Sequence, residues 1–275
     1  MSDDSVQPEA VMDYNTDPWD PEARRKETAT DAPDLDVRVV PDVEPIALAD
    51  ATRTQACVPV ALQDAIFGTR TAARFSFAVI DGAKIDGLAE LLETSGLPHR
   101  CLYTKDSGLQ DVAPWLVELH DGTPFVRSLF TVGDAPWALW GRGWGTVLRS
   151  AMPLDALYAH LRHFTQVRLD GPKPVFFRFW EPRVMARYLF NHHDTARENL
   201  LALMGEGEII CVDWWNDIAV HAQARVAAER PRHWPHLRED LDRIRLQIYC
   251  ETLTDELGER VPRWAILINP SGLKQ

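Results

Sequence analysis

Apolar positions in this chain fall into short blocks whose spacing switches between the period of a strand and that of a helix. Phe75 to Ile80 is an almost unbroken apolar run and predicts a core strand. Asp81-Gly82 turns the chain, and Ile85, Leu88, Leu91 and Leu92 give the next segment one apolar helical face that stops at Gly96. Cys101 to Tyr103 and Pro114 to Leu119 predict two further strands, the second with proline at its start, where a missing donor does least harm. Thr146 to Arg149 returns to a strand. Ser150 and Pro153 then open a helix faced by Leu154, Leu157, Leu161 and Phe164. Before these blocks, Val58 to Phe67 predicts a short helix. Residues 121 to 145 read as loop.

The sharpest local signal lies at residues 174 to 190. Val175 to Trp180 reads as a buried or half-buried strand, and Pro182 stands where a helix takes its first turn, since it needs no amide hydrogen there. Val184, Met185, Tyr188 and Leu189 supply one apolar face. Glu181 suits the positive end of the helix dipole. Arg178 inside an apolar run needs a partner or a route to water, and the simplest reading is that Arg178 and Glu181 pair to brace the corner. Arg178, Trp180, Glu181, Pro182 and Arg183 form this structural corner motif.

Beyond the corner, Thr195-Ala-Arg-Glu198 fits a capping box for a helix through Met204, ended by Gly205. Glu208 to Asp213 predicts a strand or extended segment. Trp214-Trp215 opens a predicted helical region through Glu229, Pro235 opens a long helix faced by Leu237, Leu241, Ile244 and Ile248, and Trp264 to Ile268 predicts a closing strand. The order predicts an α/β fold: a mixed-sheet lobe with packed helices over residues 46–192, followed by a mainly helical C-terminal lobe over 193–275.

Composition changes this picture at the N-terminus. The chain of 275 residues carries a net charge of −12, and residues 1 to 50 hold 14 acidic against 4 basic side chains. The rest of the chain is therefore close to neutral. Residues 1–45, acidic and poor in apolar periodicity, read as a disordered tail, within which Val37 to Val40 could form a brief strand. Neither part has the basic surface that nucleic acid requires. No secretory signal and no apolar run of membrane-spanning length is recognisable, which predicts a cytoplasmic protein with no membrane partner. Cys57, Cys101, Cys211 and Cys250 are widely separated and read as reduced thiols.

Candidate chemistry is sparse. His192-His193-Asp194 is the most metal-like cluster, but adjacent histidines point apart and no second ligand pair stands at a telling spacing; a helix start explains Asp194 better. Asp213 and Asp217 flank Trp214-Trp215-Asn216 as they would around a cleft, yet both positions also suit capping. Gly141, Gly143 and Gly145 lack the lysine and serine of a phosphate loop, and Ser150 lacks a nucleophile elbow. Trp137, Trp140 and Trp144 are either core plugs or, with Trp214 and Trp215, a partner-binding surface, since aromatics are enriched where proteins meet. The residues predict no catalytic group, no metal and no cofactor.

Several ordered segments together carry a resemblance. Val79-Ile-Asp-Gly-Ala-Lys-Ile85, Pro114-Trp-Leu-Val-Glu-Leu119, Leu148-Arg-Ser-Ala-Met-Pro-Leu154, Leu161-Arg-His-Phe164 and Arg178-Phe-Trp-Glu-Pro-Arg183 resemble the type VI secretion effector-chaperone family, over about residues 75 to 192. The usual corner of that family reads Arg-Phe-Tyr-Asp-Pro; Trp180 and Glu181 keep the aromatic and the carboxylate. The resemblance implies a non-enzymatic adaptor in the bacterial cytoplasm whose partners are a cognate secreted effector and a VgrG-type spike protein, with the region after the shared lobe helping to choose the cargo in toxin delivery. The competing expectation is a small-molecule hydrolase using His192, His193, Asp213 and Asp217.

Overall fold

The computed structural model describes residues 34–51, 56–68, 75–104, 108–168, 174–190, 194–214, 217–232, 234 and 236–256, without the side chains of 174, 194, 195 and 250–256. Its strands are β1 Leu35–Val40, β2 Ile46–Ala47, β3 Phe75–Asp81, β4 His99–Cys101, β5 Pro114–Glu118, β6 Thr131–Val132, β7 Gly145–Ser150, β8 Gln166–Arg168, β9 Pro174–Phe176, β10 Glu208–Asp213 and β11 Ile218–Ala224. Its helices are α1 Val60–Phe67, α2 Leu88–Ser95, α3 Pro124–Leu129, α4 Leu154–Leu161, α5 Pro182–Phe190, α6 Asp194–Met204 and α7 Leu237–Glu256. The fold is α/β.

One seven-stranded sheet organises the chain, in the order β1-β11-β10-β7-β3-β5-β4. Every pairing within it is antiparallel. The middles of its inner strands, at 77–80, 116–117, 147–148 and 209–212, are apolar because both faces are covered, while buried polar side chains such as Arg149 and Glu208 stand nearer the strand ends. Phe77, Val79, Leu116, Leu148, Ile209 and Cys211 point into one core, which α4 to α7 close. Ala78, Ile80, Val117, Val147, Ile210 and Val212 point into the other, which α1, α2 and α3 close. Residues i and i+1 thus serve opposite cores, as the two-residue period of a strand demands. Beside the sheet stand two small ribbons, β2 with β6 and β8 with β9.

The predicted strands at 75–80, 114–119 and 146–149 are β3, β5 and β7, and the predicted helices entering at 58, 85 and 153 are α1, α2 and α4. Three expectations are corrected. The tail expected through residue 45 contributes the edge strand β1, which pairs with β11 along its whole length, from Leu35↔Ala224 to Val40↔Ala219; local acidity does not prevent a strand whose Leu35 and Val37 reach the core. The helix expected from Trp214 to Glu229 is instead strand β11, turned back from β10 through Asp217, whose φ is 51°. Ile218-Ala-Val-His-Ala-Gln-Ala224 contains helix-favouring alanines, but small side chains also suit a strand clamped between β1 and β10, and tertiary pairing decides. With β10 and β11 lying between β1 and β7, residues after 192 share the sheet of residues before it. Within the expected loop at 121–145, Pro124 opens the short helix α3, too brief to show a helical period. The expected strand at 264–268 and residues 1–33 lie outside the described residues.

Cys57 and Cys211 are buried and Cys101 half-buried, all three as free thiols. The Cys57 thiol donates to Asp121 Oδ1 at 2.8 Å, and burial, then that carboxylate, push it up to about 12. A thiol held protonated in this way is a poor nucleophile.

Candidate functional site

The corner is built from two segments far apart in the chain. β9 ends at Phe176, sooner than the apolar run suggests, and Phe177, Phe179 and Trp180 then turn into the core beside Tyr188. Phe177 meets Tyr188 edge-on at 5.6 Å and Trp180 meets Phe179 at 5.2 Å. Pro182 opens α5, as expected. The anticipated partner of Arg178 is corrected: its guanidinium pairs with Asp81 at the end of β3, not with Glu181. Asp81 is 2% exposed and the Arg178 side chain 49% exposed. A buried carboxylate is thereby joined to a cation that itself reaches water, which resolves the burial cost of both. The other Asp81 oxygen accepts from the Ala83 amide at 3.1 Å, so one side chain holds both the turn after β3 and the corner.

Glu181, released from Arg178, caps α5. Its Oε2 accepts from the Val184 amide at 2.7 Å and its Oε1 from the Arg183 amide at 3.3 Å. This is the dipole and capping role expected of a carboxylate at that position. Glu181→Ala is expected to lower stability by about 1 kcal/mol, with Glu181→Asp losing less. Urea melts followed by circular dichroism check this, and equal losses for both variants would refute the capping role.

Outside the corner lies a hollow of about 250 Å³ lined by Tyr103, Thr104, Arg162, Gln166 and Phe176. Tyr103 stacks obliquely on Phe176 at 5.7 Å and meets Trp180 at 6.4 Å. Burial raises the Tyr103 hydroxyl above its ordinary range, partly offset by Arg178.

The tryptophans divide. Trp144 is 5% exposed, donates Nε1–H to the Leu129 carbonyl at 2.9 Å and stands edge-on to Phe130. It is a core plug, which corrects its assignment to a partner surface: a side chain with its one donor satisfied inside has nothing left to offer outside. Trp140 is half-buried against Phe130. Trp214 packs over Gly143, where a Cβ would meet its ring at 2.7 Å, so the two tryptophan segments meet in space. Trp215 lies outside the described residues. Trp137 alone among the described members is well exposed, at 44%. It borders an apolar groove of about 630 Å³ between α2 and α3, whose walls include Leu91, Thr94, Pro124, Phe125 and Arg127. Sequence reasoning missed this groove because its two walls come from helices some thirty residues apart, one of them too short to recognise.

Of the alternative catalytic set, Asp213 is half-buried at the end of β10, opposite Ile218. Asp217 is exposed in the hairpin turn, its carbonyl accepting from the Val43 amide at 2.8 Å, and it does not occupy the first turn of a helix as expected. His192 and His193 lie outside the described residues. Among the described residues no cluster of three or more His, Cys, Asp or Glu is placed to hold a metal, and no helix is long and apolar enough to cross a membrane.

No curated protein and no solved structure matches the chain. Residues 76–199, which carry β3, β5, β7, α4 and the Asp81–Arg178 corner, match the family model described as a domain of unknown function, DUF4123.

Proposed function

We propose that this protein is a non-enzymatic adaptor that binds a secreted effector of a type VI secretion system in the bacterial cytoplasm and helps load it onto a VgrG-type spike protein. The reading rests on the resemblance carried by the segments at 79–85, 114–119, 148–154, 161–164 and 178–183, all of which fall within the stretch that matches the domain of unknown function. The observation that favours a binding role is the apolar groove between α2 and α3 with Trp137 at its rim. An open apolar groove with an aromatic anchor and a single guanidinium beside it is the form that recognises a peptide segment by burial.

A tagged pull-down from cells expressing their secretion machinery tests the class: stable recovery of a large toxin-like protein or of the spike supports it, and recovery of neither contradicts it. Trp137→Ala tests the surface. Because Trp137 is exposed, the variant is expected to melt within about 0.5 kcal/mol of the parent while capturing the effector at least tenfold more weakly, as a hot-spot aromatic does. Undiminished capture by that variant would move the effector site away from the groove while leaving the adaptor class intact.

A further inference from the structure

We propose that β1 is a docking edge for a second copy of this chain, the two β1 strands pairing antiparallel about a twofold axis at Val37. β1 is the last strand of the sheet, and among the described residues no strand bonds its outer side. Which groups face outward follows from register. The Arg225 amide donates to the Asp34 carbonyl at 2.8 Å, and Leu35 lies opposite Ala224. Bonding alternates along an antiparallel pair, so Asp34, Asp36, Arg38 and Val40 turn their backbone groups toward β11. Leu35, Val37 and Val39 present theirs to the open edge.

Only pairings that set outward residues against outward residues make a ladder. Centring the axis on Val37 satisfies this: Val37 faces its own copy and Leu35 faces Val39 as hydrogen-bonded pairs. Asp36 and Arg38 then face each other twice, as non-bonded pairs, where side chains approach most closely. Charges on an edge strand ordinarily discourage pairing. Here the strand Leu-Asp-Val-Arg-Val-Val is self-complementary, with both charges on one face and the apolar residues 35, 37 and 39 on the other. An isologous contact of this kind closes into a dimer and leaves no further edge of the same type.

Arg38 is exposed, and its guanidinium also donates to His221 Nδ1 at 3.0 Å, while the other ring nitrogen lies 2.8 Å from Glu208. The cation is thus held on the face where the partner's Asp36 would arrive. A single six-residue strand pair buries less than the roughly 1,200 Å² of a standard interface, so the dimer is a weak one, formed in the high micromolar range.

The test is sedimentation equilibrium of the full chain over rising concentration, with two charge variants. Asp36→Arg opposes arginine to arginine at both contacts, and Arg38→Asp opposes aspartate to aspartate; each alone is expected to self-associate about tenfold more weakly than the parent. Mixed together they regain opposite charges at both contacts and are expected to form the heterodimer with near-parental affinity. That rescue also shows both variants to be folded. A monomeric parent at every concentration overturns the proposal, as does self-association of either variant at parental strength, or a mixture that stays monomeric.

Discussion

Among the described glycines, Gly145→Ala is expected to be the most damaging single-methyl change, lowering stability by more than about 4 kcal/mol. Gly145 begins β7 and lies opposite Ile80 of β3. A Cβ there would stand 1.9 Å from the Val79 carbonyl oxygen and 2.9 Å from its carbon. The obstacle is backbone in the middle of the sheet, packed on both faces, so relief requires β3 and β7 to part. The Asp81 amide also bonds the Trp144 carbonyl at 2.7 Å just beside this point, so parting the strands disturbs the carboxylate that holds the corner. Calorimetry is expected to show a melting temperature roughly 8–16 °C lower. Gly96→Ala is the control: Gly96 ends α2 at φ 67° with no atom near its missing Cβ, so only the backbone penalty of about 1 kcal/mol applies. Equal effects of the two substitutions would show that strand approach is not what Gly145 provides.

The second large effect belongs to Trp180. It is 2% exposed, wedged edge-on against Phe179 and beside Tyr103. Trp180→Ala is expected to lose about 3–5 kcal/mol through the cavity it opens at the start of α5. Its indole N–H has no hydrogen-bond partner among the described residues. Trp180→Phe therefore removes a buried donor that no described residue satisfies, and its loss is expected to stay below about 1.5 kcal/mol. A Phe variant as damaged as the Ala variant would show the indole nitrogen to be bonded after all.

The proposed adaptor function places different demands on the two parts of the surface. The corner, with Asp81, Arg178 and Glu181, is internally satisfied and acts as a brace. The groove beside Trp137 is apolar and open. Binding by burial needs a rigid wall on each side, and α2 and α3 both rest on the core that Ile80, Val117 and Val147 fill from the sheet. The brace and the groove are therefore linked through β3, whose end carries Asp81 and whose inward residues support the helices.

Features settled within one or two turns of the chain are legible in the residues alone. The largely apolar runs at 75–80 and 114–119, broken only by Ser76 and Glu118, name core strands because a strand buried on both faces can hold few polar side chains. Leu154, Leu157 and Leu161 name a helix face because three- and four-residue spacing returns side chains to one side. Pro182 and Glu181 announce the start of α5 because capping is settled within one turn. Tertiary structure decided everything that depends on a distant partner. Arg178 finds Asp81 across 97 positions, although Glu181 is three residues away and already engaged by the helix it caps. β11 is a strand because β1 and β10 flank it, against the preference of its alanines. Trp144 is core and Trp137 is surface, although they share one loop of similar composition, because only the packed sheet determines which of them has neighbours on every side. Spacing along a chain reports a residue's own element, whereas burial and pairing are properties of what folds against it.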